Sequence, residues 1–131
     1  MKGFVDNIEK LTVGNQDFRR VLYTGHHTQL VLMSLPPGEE IGEEVHEDTD
    51  QFFRVEQGEG EVVIDSRSFP IGDGTAIVVP AGARHNVRNT GGQSLHLYTL
   101  YSPPHHEDGT VRRTRADAEK SPEEFTGRTS E

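Results

Sequence analysis

The chain has 131 residues, a net charge of -9, no cysteine and an apolar fraction of 31%. That length suits one domain with a moderate core, and the absent thiols exclude a disulfide framework and a thiolate zinc site. The negative balance argues against nucleic-acid binding, which needs basic patches, and no apolar run approaches the roughly 20 residues that span a bilayer.

In chain order, "DNIEKLTVGNQ" reads as a short helical fragment ending at Gly14-Asn15. "FRRVLYTGHHTQLVLMSL" follows as two strands joined at Thr24-Gly25, because β-branched and aromatic residues flank a glycine break. Within it Gln29 and Met33 share a strand face that can reach a cavity, whereas His26 and His27 are expected at the exposed turn. Two prolines in "PPGEE" close that run. Short strands then alternate with Gly/Pro punctuation: "DQFFRVEQ", "EVVID", "TAIVV", "HNVRN" and "SLHLYTLY", with a polar turn expected at Ser66 to Ser68. This rhythm predicts an all-β barrel or sandwich. In "DQFFRVEQ", Phe53 and Val55 share the face of Gln51, and Asp50 points the other way. In "SLHLYTLY", His96 is a candidate proton-transfer or contact residue and Tyr98 a candidate pocket hydroxyl.

After Pro104 the composition turns polar, so the chain divides into a β-domain over 1–104 and an extension over 105–131. His105 and His106 are expected to be solvent-exposed. "SPEE" at Ser121 to Glu124 fits a capping box with proline at the first helical position, which predicts one or two helical turns and then fraying. The extension reads first as a solvated appendage and second as a cover for a barrel edge or mouth.

The richest stretch is "GTAIVVPAGARHNVRN". Gly74 is followed by five residues, Pro80, one residue, Gly82, two residues, His85, three residues and Asn89. Glycine admits the turn into an apolar strand, proline ends that strand, and the second glycine allows a tight bend before His85 opens the next strand. Upstream, "GEEIGEEVHEDTDQFFRVEQG" is framed by Gly38 and Gly58. These residues resemble the two motifs of the cupin family. The second motif matches position for position. In the first, His46 takes the second histidine's place, while Glu44 stands for the first histidine and Gln51 for the glutamate. A rival register, with His46 first and Asp48 second, leaves Gln51 too close and displaces the first glycine. The other acids, Glu39, Glu40, Glu43, Glu47 and Asp48, read as a solvated surface.

The resemblance implies an antiparallel jelly-roll barrel with a divalent metal inside one open end, and often a homodimer. Carried onto this sequence, it implies Glu44, His46, Gln51 and His85 as ligands for zinc, manganese, iron or nickel. The ligand types match those of phosphomannose-isomerase-like cupins, with Glu and Gln exchanged. Three functions follow from it. One is a metal-dependent isomerase or lyase acting on a small polar, sugar-like metabolite, with Glu44 or His96 moving a proton. The others are a non-catalytic sugar or metabolite binder and an iron dioxygenase. A cytoplasmic location is the simplest expectation, as "MKGFVDNIEKL" lacks an apolar stretch.

Overall fold

A computed structural model describes all 131 residues. The first helix, α1, spans Ile8–Gly14, and Asn7 caps it by accepting the Lys10 N–H at 3.0 Å. The strands are β1 (Arg19–Thr24), β2 (Gln29–Leu35), β3 (Glu44–Val45), β4 (Asp50–Gln57) and β5 (Gly60–Ile64), then β6 (Arg67–Ile71), β7 (Ala76–Val79), β8 (Arg84–Asn89), β9 (Leu95–Ser102) and β10 (Val111–Arg112). A second helix, α2, covers Arg115–Lys120. The strands pair antiparallel in two sheets, ordered β10-β1-β2-β9-β4-β7 and β3-β8-β5-β6. The product is the antiparallel jelly roll.

Strand alternation builds the interior. Gln51, Phe53 and Val55 of β4, Leu95, Leu97 and Tyr101 of β9, and Val87 of β8 are all buried. Seventeen buried apolar side chains drawn from both sheets form one cluster, so the barrel packs as a single unit. Gly58, which closes the first motif, sits at φ 112°, and an added Cβ would lie 2.9 Å from the Ser94 carbonyl oxygen and 3.0 Å from Leu95 Cα. Only glycine meets both conditions without a backbone shift. No helix is long and apolar enough to cross a membrane.

Three expectations change. The polar turn lies at Asp65 and Ser66, both at positive φ, and Arg67 already begins β6. A two-residue hairpin turn demands that conformation, and the mostly exposed, Pro70-containing β6 is an edge strand without an apolar pattern to reveal it. The helix of the extension lies one turn before "SPEE": Thr114 is its N-cap and Ser121 its C-cap. Thr114 Oγ1 accepts the Asp117 N–H at 3.0 Å, so the cap that forms is the upstream one. The extension is also built into the barrel, since β10 pairs with β1 and the Ser130 N–H donates to the Thr24 carbonyl at 2.8 Å.

Candidate metal centre

β3 and β8 are paired so that Glu44 lies directly opposite His85. Directly opposed residues share a sheet face, which brings their side chains together at the inner surface. His46 follows two residues after Glu44, and its backbone carbonyl accepts the Gly82 N–H at 2.9 Å. That bond ties the two motifs to each other, with Gly82 at φ 88° making the bend. One ligand atom from each of Glu44, His46 and His85 lies within 4.8 Å of the others.

Gln51 reaches the same point from the opposite sheet. Its Oε1 is 3.2 Å from His85 Nε2, and its Nε2 donates to Thr99 Oγ1 at 2.9 Å. The other nitrogen of His85, Nδ1, is 3.1 Å from the Ala83 carbonyl. Both ring nitrogens therefore face oxygen acceptors. An uncharged imidazole has one N–H, so when Nδ1 donates to Ala83 the Nε2 lone pair faces the Gln51 oxygen. A cation between them resolves that clash. His46 Nε2 lies 2.7 Å from Glu44 Oε2 and is buried without a further hydrogen-bond partner. Ligand atoms that converge on one point in this way fit a common ion. The set of two imidazoles, a carboxylate and an amide oxygen suits a divalent transition metal.

Burial acts to raise the Glu44 carboxyl, but His46, His85 and Arg19 outweigh it and hold it below the usual range. Glu44 is thus a carboxylate at neutral pH. Burial, with the charge of Glu44, pushes the Tyr101 phenol up, so it stays protonated.

Above these donors opens a pocket of about 370 Å³ whose polar lining is Arg19, Glu44, His46, His105, His106 and Glu123. A larger groove of about 570 Å³, between Gln57–Glu59 and Gly91–Gln93, has no such donor set. His105 and His106 correct the exposed reading: His106 is 4% exposed and His105 is half-buried, its ring 4.4 Å from that of His46. Gln29 causes this. Its Oε1 accepts the backbone N–H of His105 at 3.1 Å and of His106 at 2.9 Å, and its Nε2 donates to the His106 carbonyl at 2.7 Å. The fully buried amide thus folds the chain after the two prolines back over the barrel mouth.

His96 is not brought to this pocket. It is half-buried on the face of β9 opposite Leu95, Leu97 and Tyr101. Tyr98 shares that outer face, and the inward tyrosine is Tyr101, whose hydroxyl is 3.2 Å from His106 Nε2. Continuing the alternation from Leu95 to residue 101 identifies it from the sequence. Nothing local announces Arg19 or Glu123. His26 and His27 are exposed, as are Glu43, Glu47 and Asp48, whereas Glu39 and Glu40 are half-buried.

Residues 31–101 match the Cupin domain family. The chain belongs to the cupin family. It is similar to the uncharacterized protein YrkC of Bacillus subtilis, at 51% identity over 123 residues, covering 89% of this chain and 66% of that protein. This cupin therefore spans just under two thirds of that relative's length. The crystal structure of BH2720 from Bacillus halodurans superposes with a TM-score of 0.89 at 48% identity, covering 92% of this chain and 96% of that one. A structure from Thermotoga maritima, described as a predicted oxalate decarboxylase, aligns with a TM-score of 0.56 at 27% identity, over 57% of this chain and 65% of that one.

The mouth histidines are expected to make this cupin less stable in acid. Burial, reinforced by His106 and His46, pushes His105 from 6.5 down to about 4, and burial also lowers His106. The unfolded chain therefore binds protons that the fold refuses. Stability contributed by the neutral rings is whole above about 6.5 and is lost as pH falls toward 4. Glu44 and Glu123, held below 4.5, add a further loss in more acidic solution. Thermal melts in chelating buffer are expected to show a falling midpoint from pH 6.5 downward, and a flat profile would mean that the rings are solvated.

Proposed function

We propose that this cupin binds one divalent metal through Glu44, His46, Gln51 and His85 and uses it as an isomerase- or lyase-type enzyme on a small polar metabolite. The observation that carries the reading is the convergence of Glu44, His46, His85 and, from the other sheet, Gln51 beside a polar pocket, with His46 Nε2 buried without a hydrogen-bond partner. The likeness to a predicted oxalate decarboxylase supports small-metabolite chemistry. The bound ion supplies Lewis acidity toward a substrate carbonyl or hydroxyl. His105, uncharged at neutral pH and lining the pocket, takes the proton-moving role that the sequence offered to Glu44 or His96. Gln29 keeps that ring over the donors, and the bulk of the mouth loop limits water. A homodimer and a cytoplasmic location complete the proposal.

Protein purified without a histidine tag is expected to carry close to one transition-metal ion per chain by elemental mass spectrometry. Failure to take up zinc, manganese, iron or nickel on incubation would sink the reading. Oxygen uptake by the iron-loaded protein separates the dioxygenase alternative, which Gln51 disfavours by filling a position that oxygen would need. Binding of sugars or organic acids without turnover would identify a recognition module instead.

The Gln51 assignment has its own check. Gln51→Glu exchanges a neutral ligand for an anionic one and is expected to tighten metal binding by roughly tenfold or more. The same carboxylate, buried beside Thr99 without an ion, is expected to lower the midpoint of the metal-free protein. Unchanged affinity would show that Gln51 does not touch the ion.

A further inference from the structure

The same pocket holds a second polar cluster, distinct from the metal donors. Arg19 of β1 points its guanidinium to the carboxylate of Glu123, at 3.3 Å from Nη1 to Oε1. The side chains are 11% and 10% exposed, so the pair is largely removed from water. Arg112 approaches the other oxygen at 3.6 Å, and His106 Nδ1 lies 2.8 Å from Oε1. The fit is incomplete. Arg19 Nε and Glu123 Oε2 are both buried without a hydrogen-bond partner. A guanidinium matches a carboxylate through two parallel N–H bonds, and here one arm of that fork is idle. Glu123 arrives end-on because its backbone is set by the segment that carries it. Arg112 donates to the Ser121 carbonyl at 2.9 and 3.1 Å, and Phe125 is latched to His105.

We propose that Arg19 is the receptor for a carboxylate on a small-molecule ligand of this pocket, and that Glu123 is an internal competitor that a ligand displaces. A free carboxylate is not tethered to the chain, so it can take both arms of the Arg19 fork, with Arg112 and His106 alongside. Glu44 and His46 of the metal donors line the same pocket, with the His105 ring 4.4 Å from that of His46. A hydroxy or oxo acid would present its carboxylate to Arg19 and its second oxygen to the metal donors. Displacing Glu123 frees the stretch from Ser121 to Phe125, which unlatches the mouth. The inference deepens the reading of this pocket as a ligand site and specifies the ligand's anionic group.

The test uses metal-free, full-length protein titrated with propionate and, separately, with inorganic phosphate, following the histidine ring protons by nuclear magnetic resonance. Glu123→Ala is expected to bind propionate at least ten times more tightly than the unchanged protein. Adding Arg19→Gln to that variant is expected to remove saturable binding. In the unchanged protein, saturating propionate is expected to speed amide exchange at Phe125. Affinity that Glu123→Ala leaves unchanged, or binding that survives the loss of Arg19, overturns the proposal, and phosphate binding tighter than propionate overturns the carboxylate class. Glu123→Gln keeps the side-chain volume and carries the same expectation should the alanine variant fail to fold. Because no metal is present, a negative result here is separate from failure of the metal reading, which elemental analysis decides.

Discussion

Replacing His85 by alanine is expected to abolish metal retention. His85 is 4% exposed and is the donor that faces both the other sheet, at Gln51, and its own neighbour strand, at Glu44. Its loss leaves one imidazole, one carboxylate and one amide, which do not hold a transition metal against water and buffer. Affinity is expected to fall by more than about 100-fold, beyond the 10- to 100-fold typical of losing a residue that merely supports a ligand. Two measurements read it: metal content after dialysis, and the rise in thermal midpoint that added zinc produces. Ligand that binds only the folded state raises the midpoint in proportion to the logarithm of its concentration over Kd, so that rise should vanish in the variant. His46→Ala is expected to behave the same way, and it guards against a fold defect particular to one position. Full metal occupancy in His85→Ala would remove the assignment.

The second large effect is on stability and comes from a residue outside the donor set. Gln29→Leu keeps the volume of a fully buried side chain and deletes its amide. The His105 and His106 N–H groups and the His106 carbonyl lose their partner together, as does Thr24 Oγ1, which accepts from Gln29 Nε2 at 3.0 Å. An orphaned buried polar group costs about 1–3 kcal/mol, so the variant is expected to lose at least about 3 kcal/mol. For a domain of this size the midpoint should drop by about 10 °C. Metal affinity should change far less, because none of the four donors bonds to Gln29. A midpoint within a degree or two of the unchanged protein would show that water replaces the amide and that the mouth loop is not held from beneath.

These two expectations mark where the sequence was readable and where it was not. His85 was legible because its identity as a candidate rests on spacings inside one turn and one strand, where Gly74, Pro80 and Gly82 each have a local reason for being there. Glu44 and His46 were legible for the same reason, since a separation of two on an extended segment puts both on one face. For His96 and Tyr98 the sequence left the two faces of β9 open, and both lie on the outer one. Tyr101, in step with Leu95, Leu97 and Thr99, shows that the choice was available in the apolar alternation. β6 and α2 failed differently. An exposed edge strand has no buried face to imprint a pattern, and two competing caps, Thr114 and Ser121, are decided by what the chain packs against.

The sequence by itself determined the family, the jelly-roll architecture and a candidate ligand set, because period-two alternation and turn chemistry act within a few residues. Only the tertiary structure decided what surrounds that set. Arg19 and Glu123 are 104 positions apart, and Gln29 and His106 are 77 apart. A polar pair at such a distance leaves no spacing to read, because its two halves meet through sheet pairing and the path of the extension across the mouth. The physical reason lies in the barrel itself: closing two sheets on one core brings the first strand and the end of the chain to the same rim.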